Sequence, residues 1–383
     1  MVVHNRYRVA GGEERAVELQ LEALARAGVR HRSIVRDSRM IGSAHAAAAM
    51  LRGGERPSEL AEAVRAIDAT VVHVHNIQPL FGPRALAAAR RAGAAVVMHL
   101  HNFRLFCAIG VAFRDGETCF RCRRGRTLPG LALNCRGSIP ESSVYALALA
   151  RQLPRVLATV DRFVAPSHYA AGQLARLGVP PERIDVLGHY LPAASFAERS
   201  CADGGQFALI AGRLAQEKGV EVAIAASASA GAPLKIAGDG PLEPQLREQI
   251  ARTGASAELL GRVGDGALAD LRRRAAIVLV PSLSRESFGL AALEAMAAGV
   301  PVIAARSGAL PEVVGSGHCV PPADPGALAD AIAALWRDPE RRRAEGDALI
   351  ARARERFGED GYVRGLLGVY ERAAQSRAAG IRA

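Results

Sequence analysis

Two glutamates eight residues apart, Glu286 and Glu294, flank a turn and the start of a helical pattern in the stretch Ile277 to Ala305, IVLVPSLSRESFGLAALEAMAAGVPVIAA. An apolar β-branched run breaks at Pro281, and the acidic turn Arg285-Glu286-Ser287-Phe288-Gly289 follows. A helical pattern then runs through Met296 to Gly299, where a C-terminal cap glycine belongs, before a second apolar run from Pro301. Glu286 lies before the first turn and Glu294 two turns in, so both can face one ligand. Between them the backbone N–H groups of Phe288, Gly289 and Leu290 stand at a helix N-terminus, a site for phosphate or sugar oxygens. Carboxylates around such amides suit a ligand carrying hydroxyls beside a diphosphate, the chemistry of a nucleotide sugar. The alternative is an ordinary strand–helix–strand unit with surface glutamates.

Phe207 to Gly219 reads as a strand, a basic loop and a helix start. The chain has two lysines, Lys218 and Lys235, and one of them sits in this loop. Arg213 and Lys218 together can clamp a diphosphate through charge-assisted hydrogen bonds that strengthen on a departing charge. Two solvated charges are the alternative. Elsewhere two H-x-H pairs end apolar runs, His73 with His75 and His99 with His101. On a strand each pair shares a face. A zinc site with further ligands from elsewhere is one reading, and packed histidines the other. Cys107, Cys119, Cys122 and Cys135 follow at C-x11-C-x2-C-x12-C spacing in an arginine- and glycine-rich segment. A C-x2-C pair is a common half of a structural zinc site, which would order a segment with little core of its own. Reduced thiols or a disulfide remain open.

These residues need elements to place them. Strand patterns are predicted at His31–Arg36, Thr70–His75, Ala95–Leu100, Arg162–Ala165 and Ile184–Leu187, with helix patterns between. Apolar runs without alternation point to parallel sheets covered on both faces, with ligands beyond the carboxyl ends of the strands. The first strand leads into Gly11-Gly12, which is not G-x-G-x-x-G and therefore no dinucleotide fingerprint. Ser167 reads as a helix N-cap. Residues 193–205 lack periodicity and read as a linker, and Tyr362, Leu366, Leu367, Val369 and Tyr370 mark a final amphipathic helix. Three segments are expected: 1–195 with a Cys-rich insertion at 103–140, 206–358, and a closing helix at 359–383.

Half of the 383 residues are hydrophobic, as in a globular protein. Neither a signal peptide nor a membrane span is expected, which suggests the cytoplasm. The net charge of +11 is uneven: residues 1–195 carry 26 Arg, no Lys and 15 Asp plus Glu, and the remainder balances at 23 against 23. The basic half suits an anionic acceptor or peripheral contact with the cytoplasmic face of an anionic membrane, or is a solvated arginine-rich surface. Aromatics at 4% and the lack of a helix-turn-helix or stacking-sheet motif argue against nucleic acid.

The stretch SFGLAALEAMAAGVPVIA with its two glutamates closely resembles the E-x7-E signature of retaining family 4 glycosyltransferases. GRLAQEKG at 212–219, HLHNFRLFC at 99–107 and the loop NRYR…GGEE are similar to segments of the same family. The resemblance implies the GT-B fold: an α/β chain of two Rossmann-like parallel-sheet domains facing across a cleft, with the C-terminal helix crossing back to the first. It implies retaining transfer of a hexose from a nucleoside-diphosphate sugar to a hydroxyl acceptor, a sugar, a lipid-linked group or a small molecule. Such a hexosyltransferase would serve glycan, glycolipid or glycosylated-metabolite biosynthesis, and catalysis would require no cofactor. By resemblance Glu286 contacts the donor sugar and Glu294 the ribose. Arg213, Lys218 and the glycine loop at Gly12 meet the diphosphate, Gly261, Arg262 and Val263 cup the base, and His101 carries catalytic weight. His99 is expected to be a packed structural histidine. His189, in LGHYLP, stands where relatives have an asparagine-rich loop. Two rivals remain, a sugar-nucleotide epimerase or phosphorylase of the same fold, and a basic, zinc-clipped module binding nucleic acid or an anionic surface.

Overall fold

The structure, a computed structural model, describes residues 1–8 and 11–382, with side chains to residue 379. The first sheet takes β1 (Val2–Arg6), β2 (Ser33–Asp37), β3 (Val71–Val74) and β4 (Ala95–His99). A hairpin of β5 (Phe113–Arg114) and β6 (Glu117–Thr118) interrupts the series before β7 (Arg162–Ala165) and β8 (Ile184–Val186). Strand order across the sheet is β2-β1-β3-β4-β7-β8, and all its pairings are parallel. The second sheet takes β9 (Ala208–Ala211), β10 (Leu234–Ala237), β11 (Ala257–Gly261), β12 (Ile277–Val280), β13 (Val302–Ala305) and β14 (Cys319–Val320). Its order is β11-β10-β9-β12-β13-β14, again parallel.

Each order reverses direction once, between β1 and β3 in the first sheet and between β9 and β12 in the second. Loops leaving adjacent strands part on opposite faces at such a point and open a crevice at the carboxyl ends. The apolar runs explain the burial, because β4 (AVVMH) and β12 (IVLV) are buried at every residue and need cover on both faces. Val72, Val74, Val96, Met98 and Phe163 sit in one core, and Ile210, Ile236, Leu279, Ile224 and Ile332 in another. β2 begins two residues later than the pattern from His31 suggests, because the His31 ring turns back to the Val29 carbonyl (Nδ1···O 2.9 Å).

The chain divides into two units: Met1–Ala112, Cys119–His189 and Asp360–Ala383 in one, Phe113–Thr118 and Tyr190–Glu359 in the other. The last helix, Glu359–Arg382, packs in the first unit, where Tyr362 Oη donates to Gln20 Oε1 (3.0 Å) and Arg372 Nε to Asp185 Oδ1 (2.9 Å). Residues 193–205 fold as two short 3-10 turns in the second unit. Ser200 pins them, buried, with Oγ donating to the Gly299 carbonyl (2.5 Å) and its N–H to Asp347 (2.7 Å). No helix among the described residues is long and apolar enough to cross a membrane.

Candidate active site

In the first unit the ends of β1, β3 and β4 bring Tyr7, His75 and His101 around one recess, which Glu13, Gln78, Asn102 and Arg104 also line. Glu13 lies in the first turn of the helix Gly12–Arg26, and its Oε2 accepts from Tyr7 Oη (2.8 Å) and Asn102 Nδ2 (2.9 Å). Burial pushes the Glu13 carboxyl up to about 7 against the pull of His4 and the Tyr7 hydrogen bond. Arg104 lies 4.7 Å above the Tyr7 ring. Glu14 closes the turn instead of facing a ligand: Oε1 accepts from Tyr7 N (3.0 Å) and Oε2 from Gly11 N (2.8 Å). Gly12 is the first residue of this helix and exposed, while Val9 and Ala10 of the same loop lie outside the described residues.

Both H-x-H pairs fall on one face of the sheet, as alternation requires. Parallel pairing sets His73 opposite Val97, which carries His75 to the level of His99 on the neighbouring strand. His4 arrives from β1 and His189 from beyond β8, so six rings line one face. His99 and His101 stack at 4.1 Å, His101 and His189 at 5.2 Å, and His75 Nδ1 lies 2.7 Å from His101 Nε2. Burial, then neighbouring histidines, holds His75, His99 and His101 well below the usual imidazole range, and burial alone takes His189 down to about 4. They are therefore neutral at physiological pH. His99 is packed as expected, yet both of its ring nitrogens are buried without a hydrogen-bond partner, as is Nε2 of His73 and of His75. Each such group costs about 1–3 kcal/mol.

In the second unit the residues following β9 and β12 meet at the reversal point. Lys218 Nζ donates to Glu286 Oε1 (2.7 Å), and Ser282 Oγ donates to the same oxygen (2.7 Å). Burial raises the Glu286 carboxyl, but the Lys218 charge and the two hydrogen bonds outweigh it and hold it below the usual range. The loop is fixed from behind by Gly308 (φ +61°), where a Cβ would stand 2.2 Å from the Glu286 carbonyl oxygen, while Ala309 N donates to that oxygen (2.9 Å). Arg213 pairs with Glu217, and Glu294 with Arg272. Glu286 and Glu294 thus each hold a different cation. Phe288 turns inward onto Phe357 (5.4 Å, edge-on), so it offers its backbone only. Gly289 caps the helix Leu290–Ala297, and Gly261 ends β11 with its carbonyl accepting from Gly238 N (2.8 Å), followed by exposed Arg262 and half-buried Val263. Motif reading did not single out Glu13, Tyr7, Ser282, Glu217 or Arg272. For Tyr7 and Glu13 the signal was their place in NRYR…GGEE, and for Arg272 there was none short of the fold.

The groups of three or more His, Cys, Asp or Glu whose ligand atoms lie within 4.8 Å of one another, among the described residues, are His73-His75-His99 and His99-His101-His189. Cys107, Cys119, Cys122 and Cys135 form no disulfide, and burial, with the other three near it, pushes the Cys122 thiol up to about 11. All four are half-buried, with Cys122 Sγ 4.0 Å from the Thr127 carbonyl.

Residues 11–189 match the model of the glycosyl transferase 4-like domain, and residues 194–355 that of glycosyl transferases group 1. The chain belongs to the family 4 glycosyltransferases. Among curated members it is 36% identical over 252 residues to D-inositol 3-phosphate glycosyltransferase of Segniliparus rotundus, covering 58% of this chain and 55% of that one. It is 33% identical over 241 residues to MMP alpha-(1->4)-mannosyltransferase of Mycolicibacterium hassiacum, covering 59% and 56%. The alignments thus span a little over half the length of these relatives. The GT-B fold is shared with HepE of Anabaena in complex with UDP and glucose (TM-score 0.66, 17% identity, 97% of this chain and 99% of that one). It is shared equally with sucrose-phosphate synthase of Thermosynechococcus elongatus (TM-score 0.69, 18% identity, 97% and 98%). Within this glycosyltransferase family the two crevices, one in each unit, are where a functional reading begins.

Proposed function

We propose that the protein is a retaining hexosyltransferase that moves a sugar from a nucleoside diphosphate to an acceptor hydroxyl. The observation that carries this is the Lys218–Glu286–Ser282 cluster at the reversal point of the second sheet, with the Arg213–Glu217 pair in the same loop. In this reading Lys218 and Arg213 exchange their carboxylates for the diphosphate and offset the charge that grows on it as the glycosidic bond breaks. The N–H groups of Phe288, Gly289 and Leu290 serve the same oxygens. Glu286, kept ionised, accepts from hydroxyls of the donor sugar, and Glu294 from those of the ribose. Gly261, Arg262 and Val263 bound the base. His101, neutral and held by His75, hydrogen-bonds the reacting sugar.

The recess at Tyr7, Glu13 and Asn102 suits an acceptor's hydroxyls. The positive excess in residues 1–195 suits a lipid-linked acceptor at an anionic surface. Sedimentation with vesicles containing anionic lipid, weakening as salt rises, checks that part. The main test is a thermal-shift panel of nucleoside diphosphates and their sugars on wild type and Lys218→Ala. A ligand at a hundred times its dissociation constant adds about 2.7 kcal/mol. One sugar nucleotide should stabilise wild type and fail on the variant. If none stabilises the folded wild type, the reading is wrong.

A further inference from the structure

The strand register turns two separate H-x-H pairs into a block of facing rings, and this carries an inference apart from sugar transfer. His73, His75 and His99 come from β3 and β4, are 1%, 3% and 2% exposed, and each offers a ring nitrogen within 4.8 Å of the other two. Nε2 of His73, Nε2 of His75 and both nitrogens of His99 are the buried ring atoms here without a hydrogen-bond partner. The opposite nitrogens of His73 and His75 are held. Tyr370 Oη and the Gln20 amide lie 2.9 and 3.0 Å from His73 Nδ1, and His101 Nε2 lies 2.7 Å from His75 Nδ1. His101 Nε2 can accept the Nδ1 proton of His75, which leaves Nε2 of that ring as a bare lone pair. At His73 the Gln20 amide nitrogen donates to Nδ1, so loading requires it to yield that place to Tyr370 Oη as acceptor. Metal-binding histidines are oriented in this way, by an outer partner on the second nitrogen.

We propose that His73, His75 and His99 form a buried site for a late first-row divalent cation, Zn²⁺ foremost. Three imidazoles are a ligand set that zinc accepts, and neutral rings need lose no proton to bind it. The positive charge is offset one residue further out. His4, whose ring centroid is 6.2 Å from that of His75, lies 3.8 Å from both Glu13 and Glu14. Tetrahedral ligands at zinc distances stand about 3.3 Å apart, so loading draws the nitrogens inward by at most about 1.5 Å. It also turns the rings out of their near-parallel stack, which spans 9° to 23° between planes, because each lone pair lies in its ring plane. The torsion that does this is broad. The ion clips β3 to β4 beneath the C-terminal helix. The second group, His99-His101-His189, contains a residue already given to the reaction, so the site is placed on the first.

The test uses the full chain, stripped of metal by a chelator and then dialysed against Zn²⁺, with bound metal counted by elemental analysis. One Zn²⁺ per chain is expected in wild type and in the Cys119→Ser/Cys122→Ser variant. His99→Ala and, as a second variant less disruptive of packing, His73→Gln should each weaken binding at least about tenfold. Co²⁺ should give visible bands without intense near-ultraviolet thiolate absorption. A folded wild type that retains no zinc overturns the proposal. So does binding that survives both histidine substitutions, or a thiolate band that disappears in the cysteine variant.

Discussion

Glu13 shows how one side chain can tie stability to pH. Its carboxyl titrates near 4.5 when exposed and near 7 when folded, because burial outweighs the hydrogen bond from Tyr7 and the charge of His4. Between those values the folded chain holds a proton that the unfolded chain has released. Stability therefore falls as pH rises from about 4.5 to 7 and is level above. The full span is worth about 3 kcal/mol. Both of its hydrogen bonds from Tyr7 and Asn102 end on Oε2, so Glu13→Gln can keep them through the amide oxygen while losing the charge. Denaturant unfolding at pH 5 and pH 8 should show a smaller loss in the variant by that amount, and equal losses would sink the argument. Lys218→Ala tests the opposite case. Glu286 keeps the Ser282 hydrogen bond and the Arg213 charge, and because Lys218 is one-third exposed the expected cost is about 1–2 kcal/mol, not that of a fully buried pair. Glu286→Gln in the Lys218→Ala background should recover part of it. A double variant no more stable than the single one would show that the pair is not the cause.

At the scale of elements, one carboxylate adds a side-chain tie from β8 to β7 and to the C-terminal helix, beyond the backbone pairing of β7 with β8. Asp185 is 9% exposed and accepts from Arg162 on β7 through both oxygens (2.8 Å each) and from Arg372 on the C-terminal helix (2.9 Å). Asp185→Ala should cost about 2–3 kcal/mol, since hydrogen bonds to charged groups are at stake and two guanidiniums lose their partner. Arg372→Ala should cost less than Arg162→Ala, because its side chain is 48% exposed against 14%. The reverse order in denaturation midpoints would contradict this account. Elements were also the scale at which the sequence was most legible. Arg162–Ala165 was readable to the residue because a short β-branched and aromatic run between turns leaves little choice. The Ser167 cap was readable too, its Oγ accepting from Ala170 N (3.0 Å). What stayed hidden depends on strand order. Alternation tells that His99 and His101 share a face, but only the β3-β4 register sets them against His73 and His75 and brings in His4 and His189. The same holds for Arg272 at Glu294, twenty-two residues away in sequence.

For the whole molecule the decisive feature is that each unit has a core of its own. Residues such as Val72, Met98 and Phe163 pack in one, Ile210, Leu279 and Ile332 in the other, and both units exceed the size at which a domain can bury enough surface to fold. Cooperativity follows shared burial, so calorimetry should resolve two transitions instead of one. Perturbations then assign them. Glu13 lies in the first unit, and raising the pH from 5 to 8 should lower one transition in wild type but much less in Glu13→Gln. Lys218 and Glu286 lie in the second, so a nucleoside-diphosphate sugar should raise the other transition and lose that effect in Lys218→Ala. The C-terminal helix sharpens the assignment. It follows the second unit in the chain but is held in the first by Tyr362, Tyr370 and Arg372, so Asp185→Ala should move the pH-sensitive transition and leave the ligand-sensitive one in place. A single transition moved together by pH, by ligand and by Asp185→Ala would mean that the two cores unfold as one, and the division of labour argued for the two crevices would lose its thermodynamic basis.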